Sequence, residues 1–501
     1  MRRFSAIVGL LLLAATTAQA AEGGSVLRIA STSFGLKPGH PYRGGTLPAV
    51  LPQEAAFDPL VKLDKTGKPS PALAVAWSSA DSKVWTFKLR PGVKFSNGEP
   101  FTAEALVVSH EHLSSDIGQT ETVGSYLTNI ARMRAIDDLT AEITLSEVDV
   151  IFPIHASVWF IAAPAAWKKL GPDAFSAHPV GTGPFIITGF QTAKADMVRN
   201  PNAWQPPKVD RVQLLIVKDE AARESALLAG QIDVAMSISA ESKERMEGAG
   251  AAFVVRPTPL INYSAFNLVS RPNSPLNDKR VRQAINYAVD REAIVKSLLL
   301  GASYTTGQLA APTSFGFNPK IKPYPYDPAR AKALLKEAGF ANGFELTIEL
   351  AVLGSSDSLL YQRIAEDLSK VGIRVTIRQV TLSQLTIDMF TGTMPADMFQ
   401  TGIRSLDPLL DYRFRMCLKP SPGRKAFACN QAVLEVASRA KAQSNLEAAE
   451  ALYRETLQRE YDDPPGLFLW EKVDFDAVSA KVVNYAPVLD FVNFDTIDLK
   501  P

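Results

Sequence analysis

Cysteine is scarce: Cys417 and Cys429 are the only two in 501 residues. A single crosslink across Lys419-Pro420-Ser421-Pro422-Gly423 is worth about 3 kcal/mol, which pins a hairpin but does not build a fold. Two free, buried thiols are the other reading. Histidine is equally thin, with five residues scattered at positions 40, 110, 112, 155 and 178. His110-Glu111-His112 falls one residue short of the zincin spacing. Residues two apart on a helix point about 200° apart, so these two rings cannot share a metal. A solvated helix face is the reading the spacing favours, and neither a metal nor a cofactor is expected. No Gly-x-Ser-x-Gly elbow occurs, and neither cysteine has a nucleophile-like setting. Asp137-Asp138 and Asp462-Asp463 lie in turn-like contexts. An enzyme would need machinery that these residues do not offer.

An excess of one charge is also missing. Lys plus Arg number 53 against 52 Asp plus Glu. That balance offers no basic face for nucleic acid and no polybasic cluster for a membrane surface. Repeats, heptads and low-complexity blocks are absent. The apolar stretch Ile7–Ala15 is well short of the roughly 20 residues a membrane span needs. With Arg2 and Arg3 before it and Ala18-Gln19-Ala20 after it, residues 1–20 read as a cleaved secretory signal. No cysteine follows to carry a lipid, so the mature chain is expected to be exported and soluble, about 480 residues in two or three domains.

What is present is a 46% apolar composition and a succession of α/β patterns. Val26–Ala30 reads as a strand opening into a turn-rich loop, Ser31–Gly45. Trp85, Phe87 and Leu89 alternate with polar residues as a half-buried strand, and Asn97-Gly98 marks a hairpin turn. Thr102 is placed to cap a helix through Leu113. Gly181-Thr182-Gly183-Pro184 turns the chain into a strand at Phe185. Then come a strand over Val209–Val217, a helix capped by Asp219, and a strand over Ile232–Ile238. Ile261–Leu268 has strand alternation and is followed by two helices, capped at Asn277 or Asp278 and at Asp290, with Gly301 suited to a helix end. Phe344–Leu353, Ser356–Lys370, Ile373–Val380 and Leu382–Phe390 read as strand, helix, strand, helix. They lead to Asp397–Thr401 and imply a parallel sheet with right-handed crossovers.

Five tracts resemble a known family. They are LRPGVKFSNGEPFTAEA, HPVGTGPF, NPNAW, DRVQLLIV with ALLAGQIDV, and PLNDKRVRQAINYAVDREAIVKSLLLG. Together they resemble the extracytoplasmic solute-binding proteins of family 5, the peptide and nickel receptors of ABC importers. The resemblance implies an α/β, two-lobe periplasmic binding protein fold of type II, large cluster C form, with an extra subdomain inserted in the first lobe. By that analogy residues 21–260 plus 480–501 form the first lobe, with the insert at about 55–175, and 261–479 form the second. It further implies a periplasmic, monomeric receptor that takes a small or peptide-like ligand to a membrane permease. A sensor or chaperone on the same fold is a competing reading, and a secreted hydrolase a third.

The ligand residues are where the resemblance frays. Dipeptide-binding members carry Trp-Thr-Gly-Asp before an Asp-Pro pair, and that first Asp takes the ligand ammonium. Here Thr401-Gly402-Ile403-Arg404 precedes Leu406-Asp407-Pro408, which puts Arg404 in its place. A guanidinium repels an ammonium and favours a carboxylate or phosphate. The arginine that those members place after the strand ending near Leu350 is missing in Ala351-Val352-Leu353-Gly354. An anionic modified peptide or opine-like solute is therefore expected, or else Arg404 pairs with Asp407 or a neighbouring acid. Asp407 is a ligand candidate or a turn former before Pro408. Ser33, Phe34, Tyr263, Asn267 and Trp470 complete the expected cleft residues, Trp470 with core packing as its alternative.

Overall fold

The computed structural model describes residues 24–35, 37–44, 47–351, 357–404, 406–410, 412, 426–489 and 491–500. In chain order its strands begin with β1 (Val26–Ser31), β2 (Val61–Leu63), β3 (Pro69–Pro71), β4 (Ala74–Ser79), β5 (Val84–Leu89) and β6 (Ile130–Asp137). There follow β7 (Thr140–Leu145), β8 (Phe185–Gln191), β9 (Lys194–Arg199), β10 (Arg211–Ile216), β11 (Val234–Ile238) and β12 (Ala252–Phe266). The last six are β13 (Phe344–Ala351), β14 (Ile373–Val380), β15 (Met398–Arg404), β16 (Gly466–Val478), β17 (Val482–Val483) and β18 (Asp498–Leu499).

One sheet runs β14-β13-β15-β12-β16-β11-β1-β10-β9-β8. Its first half is built on β1, parallel to both β10 and β11. The crossover helix Glu220–Leu228 therefore carries the chain over β1 rather than to an adjacent strand. Its second half is built on β13, parallel to β14 and β15. A separate four-stranded antiparallel sheet, β4-β5-β7-β6, is inserted between β1 and β8. After β16 the chain returns to the first half, where Tyr485, Val492, Phe494 and Ile497 are buried in the same core as Leu27 and Ile29.

Among the described residues, two long strands join the halves. β12 and β16 are 15 and 13 residues long and pair antiparallel from Ala252↔Val478 to Ala265↔Gly466. β12 starts nine residues before the Ile261 expected from the sequence. Pro257 and Pro259 look like breakers, because neither donates to a ladder. The structure accommodates them as an irregularity, with the register shifting between Pro257 and Ile261 and again at Asn262/Tyr263. Beside it, Arg256 and Asp476 are fully buried and bonded at 2.9 Å, and Asp476 also accepts from Tyr485 Oη and the Ser237 amide.

The helix pair after the loop, Lys279–Ala288 and Arg291–Leu298, begins at Asp278 and Asp290, whose side chains accept from the Arg280 and Ala293 amides. Gly301 takes φ +68° just past its end. Asn286 donates to the Gly466 carbonyl and accepts from the Phe468 amide, while Arg291 caps carbonyls of Asn286, Val289 and Phe468. The asparagine and arginine of INYAVDRE thus rivet this helix pair to β16. Thr102 stands at a helix start but makes no side-chain capping bond, unlike Asp219, which accepts from the Ala222 amide.

Candidate functional site

In open α/β sheets ligands gather beyond the carboxyl ends of parallel strands. Here those ends include the loop leaving β1 in the first half of the sheet and the turn leaving β15 in the second. Ser33 is exposed on the first loop, and Phe34 beside it is buried in the core of the first half. Arg404 ends β15, with its guanidinium carbon 5.7 Å from the ring centroid of Tyr126, on the short helix Thr122–Tyr126 of the inserted unit. A cation held over an aromatic face in this way is a recognised polar contact.

A buried contact between the halves lies three residues beyond Arg404, at Asp407. Asp407 is 3% exposed, and its carboxylate meets His155 Nε2 at 3.0 Å, Tyr453 Oη at 3.0 Å and Lys441 Nζ at 3.7 Å. His155 Nδ1 faces Asp149 at 2.8 Å. Asp149 and His155 follow the four-stranded sheet; Asp407, Lys441 and Tyr453 belong to the second half. Burial alone would make the imidazole lose its proton, but the two carboxylates outweigh it and raise His155 to about 9. Burial also works against the Asp407 carboxylate, yet Lys441 and His155 hold it well below the usual carboxylate range. The ion triad is therefore charged at neutral pH. Around it Ile151 and Ile154 share an apolar cluster with Leu309, Leu406 and Phe468.

Two further contacts bring the halves together. Ser82 Oγ donates to the Ser444 carbonyl at 2.9 Å. Gly67, at φ +81°, sits so close that a Cβ there would lie 2.0 Å from the Thr313 carbonyl oxygen.

The other expected cleft residues sit deeper. Tyr263 is fully buried in the second half, with Thr401 as its β15 partner. Asn267 is 1% exposed and gives its side-chain amide to the carbonyls of Met394 and Ala396. Trp470 is 2% exposed, packed in the core shared by Ile285 and Ile348. The structure thus places Arg404 and Asp407 at the junction, leaves Ser33 exposed after β1, and buries Tyr263, Asn267 and Trp470. Asp407 makes its contacts with protein groups, more than a turn before Pro408 requires. Sequence reasoning did not find His155, Asp149, Tyr453 or Lys441 at this junction: no spacing rule links positions 252 residues apart, the separation of His155 and Asp407. Cys429 is disulfide-bonded; Cys417 lies outside the described residues.

Elsewhere, a cavity of about 320 Å³ opens against the first half, lined by Asp58, Lys62, Phe160, Trp204 and Phe491 among others. Among the described residues one grouping of side chains could hold a metal ion: His40, His112 and Glu121. No described helix is long and apolar enough to cross a membrane.

Comparison with known proteins agrees with this architecture. Residues 68–415 match the family model for bacterial extracellular solute-binding proteins, family 5. The glutathione-binding protein GsiB of Shigella boydii is 31% identical over 353 residues, 69% of this chain and 67% of that protein. DppA of Helicobacter pylori, an ABC transporter-associated periplasmic binding protein in complex with the peptide STSA, superposes with TM-score 0.78 at 24% identity, covering 95% and 98% of the two chains. AgaA of Agrobacterium tumefaciens, in complex with agropinic acid, gives TM-score 0.77 at 22% identity over 95% and 99%. A two-lobe α/β fold with two crossing strands, a junction that draws the lobes together and the match over residues 68–415 lead to one assignment: this chain belongs to the bacterial extracellular solute-binding proteins of family 5 and is the substrate-binding component of an ABC importer.

Proposed function

We propose that the solute is an anionic, peptide-like molecule of the glutathione class, caught between the lobes with Arg404 on a carboxylate and Tyr126 against its body. The observation that carries this is the position of Arg404, at the end of β15 and facing the inserted unit across the junction. The 31% identity with a glutathione-binding protein supports it. A tripeptide with two carboxylates and one ammonium suits a site with an arginine where dipeptide receptors have an aspartate. An opine is the second reading, favoured by the likeness to a protein holding agropinic acid.

On this reading the lobes divide near residues 260 and 480, with the insert over about 55–175 in the first lobe, and they bend at the register break around Pro257–Ile261. The signal is removed after Ala20, the mature protein acts as a monomer in the periplasm without nucleic acid, and it returns its ligand chemically unchanged. Ser33 touches the solute from the β1 loop, while Tyr263, Asn267 and Trp470 hold the wall behind it.

Calorimetry with glutathione, an unmodified dipeptide and an opine checks the class, and mass spectrometry of the co-purifying solute checks it independently. Glutathione is expected to bind more tightly than the dipeptide. Arg404→Ala should cost about 1.5–3 kcal/mol, the scale of a hydrogen bond to a charged group. Unchanged affinity in that variant removes Arg404 from the site.

A further inference from the structure

The loop that leaves β1 packs against the inserted unit. His40 and Tyr42 on this loop are buried, at 0% and 1% exposure, against the helix Ala103–Leu113 and the segment that follows it. His112 cannot share an ion with His110, as the helical spacing dictates, but it turns toward this loop. His112 Nε2 lies 2.9 Å from Glu121 Oε2, and His40 Nε2 lies 3.5 Å from Glu121 Oε1. The three ligand atoms are all within 4.8 Å of one another. His40 Nε2 is fully buried and has no hydrogen-bond partner, although it points at this carboxylate.

We infer that His40, His112 and Glu121 form a binding site for a divalent transition-metal ion of the zinc type. Two imidazoles and a carboxylate are a donor set suited to Zn²⁺, with a fourth position left for water. Bonds of about 2.0–2.2 Å set tetrahedral donors about 3.4 Å apart. His112 Nε2 stands 2.9 Å from Glu121 Oε2, closer than that spacing, while the three ligand atoms span up to 4.8 Å, so loading requires the rings and the carboxylate to shift around the ion.

The surroundings are those of a constructed site. Tyr42 stacks on the His112 ring at 5.4 Å between centroids, and Trp167 meets His112 edge-on at 4.9 Å and His40 at 5.5 Å. These rings exclude water and fix the orientation of both imidazoles. Arg43 donates to Glu121 Oε1 at 2.7 Å. It is not a ligand; its hydrogen bond orients the carboxylate from outside and leaves Oε2 for the ion. Its positive charge opposes the dication and keeps affinity moderate. Loading also requires the His40 proton to sit on Nδ1, which gives up the 3.3 Å contact from the Tyr42 amide. A bound ion would tie the loop that leaves β1 to the inserted unit.

The test uses the full mature chain, stripped with chelator and titrated with Zn²⁺ alone. One Zn²⁺ per chain is expected to survive gel filtration, with a rise in Tm. Co²⁺ in its place should show the intense visible bands of a tetrahedral site. His112→Ala and Glu121→Gln should each weaken Zn²⁺ binding by at least about tenfold and abolish the Co²⁺ bands. His110→Ala should leave both unchanged. If His112→Ala does not fold, His40→Gln, which keeps the side chain's size, serves instead. A wild-type chain that retains no Zn²⁺, or variants that retain it with the same Co²⁺ spectrum, would overturn the assignment.

Discussion

His155 shows how one side chain can join distant parts of a chain. Both ring nitrogens face carboxylates, Asp149 within its own unit and Asp407 across the junction. Its folded-state pKa of about 9 lies above the unfolded value near 6.5. A raised pKa contributes stability that is complete below about pH 6.5 and is lost as the pH rises through about 9. The depressed Asp407 works on the acid side, its contribution vanishing only below the ordinary carboxylate range. Folding stability should therefore hold steady from about pH 5 to 6.5 and decline toward pH 9–10. His155→Gln should be less stable and lose that alkaline decline, which denaturant unfolding over a pH series would read. Gly67 is the steric counterpart. Gly67→Ala, with a φ of +81° and a carbonyl in the way, should lower both Tm and ligand affinity, since the lobes could no longer approach as closely.

At the scale of elements, much was legible because local chemistry decides it. Asp219, Asp278 and Asp290 cap the helices their positions announce, and the alternation of Trp85, Phe87 and Leu89 is a real strand. β12 was read short because two prolines obscured its first part. A proline forbids a ladder bond, but it does not forbid a strand that bends there. What no local pattern reveals is the Arg256–Asp476 pair, which joins β12 to β16 with both partners fully buried. Asp476→Asn takes away the carboxylate that the buried guanidinium meets at 2.9 Å and leaves it Asp474 at 3.4 Å, and should cost about 3 kcal/mol in denaturant unfolding. The Asn286–Arg291 rivet accounts physically for the most recognisable tract in the chain: its polar residues satisfy the backbone of β16 rather than a ligand.

Across the whole molecule, the two α/β runs, the insert between β1 and β8 and the resemblance in five tracts were readable because each spans many residues. The site was readable only in part. Arg404 and Asp407 stood out against a family pattern, whereas the residues that meet Asp407 come from three distant stretches and assemble only on folding. The metal grouping has the same character: His112 sits in a motif that fails locally, and its partners arrive from 72 and 9 residues away, at His40 and Glu121.

The last stretch of chain has a consequence of its own. Tyr485, Phe494 and Ile497 are buried among residues such as Leu27 and Ile29, synthesised more than 450 positions earlier. The core that β1 opens is thus completed only by the last stretch of the chain. A chain emerging from its N-terminus must therefore carry that core half-made until those residues are free. Stopping translation after residue 480 should leave an intact second body beside a protease-sensitive first one, which limited proteolysis with mass mapping would show.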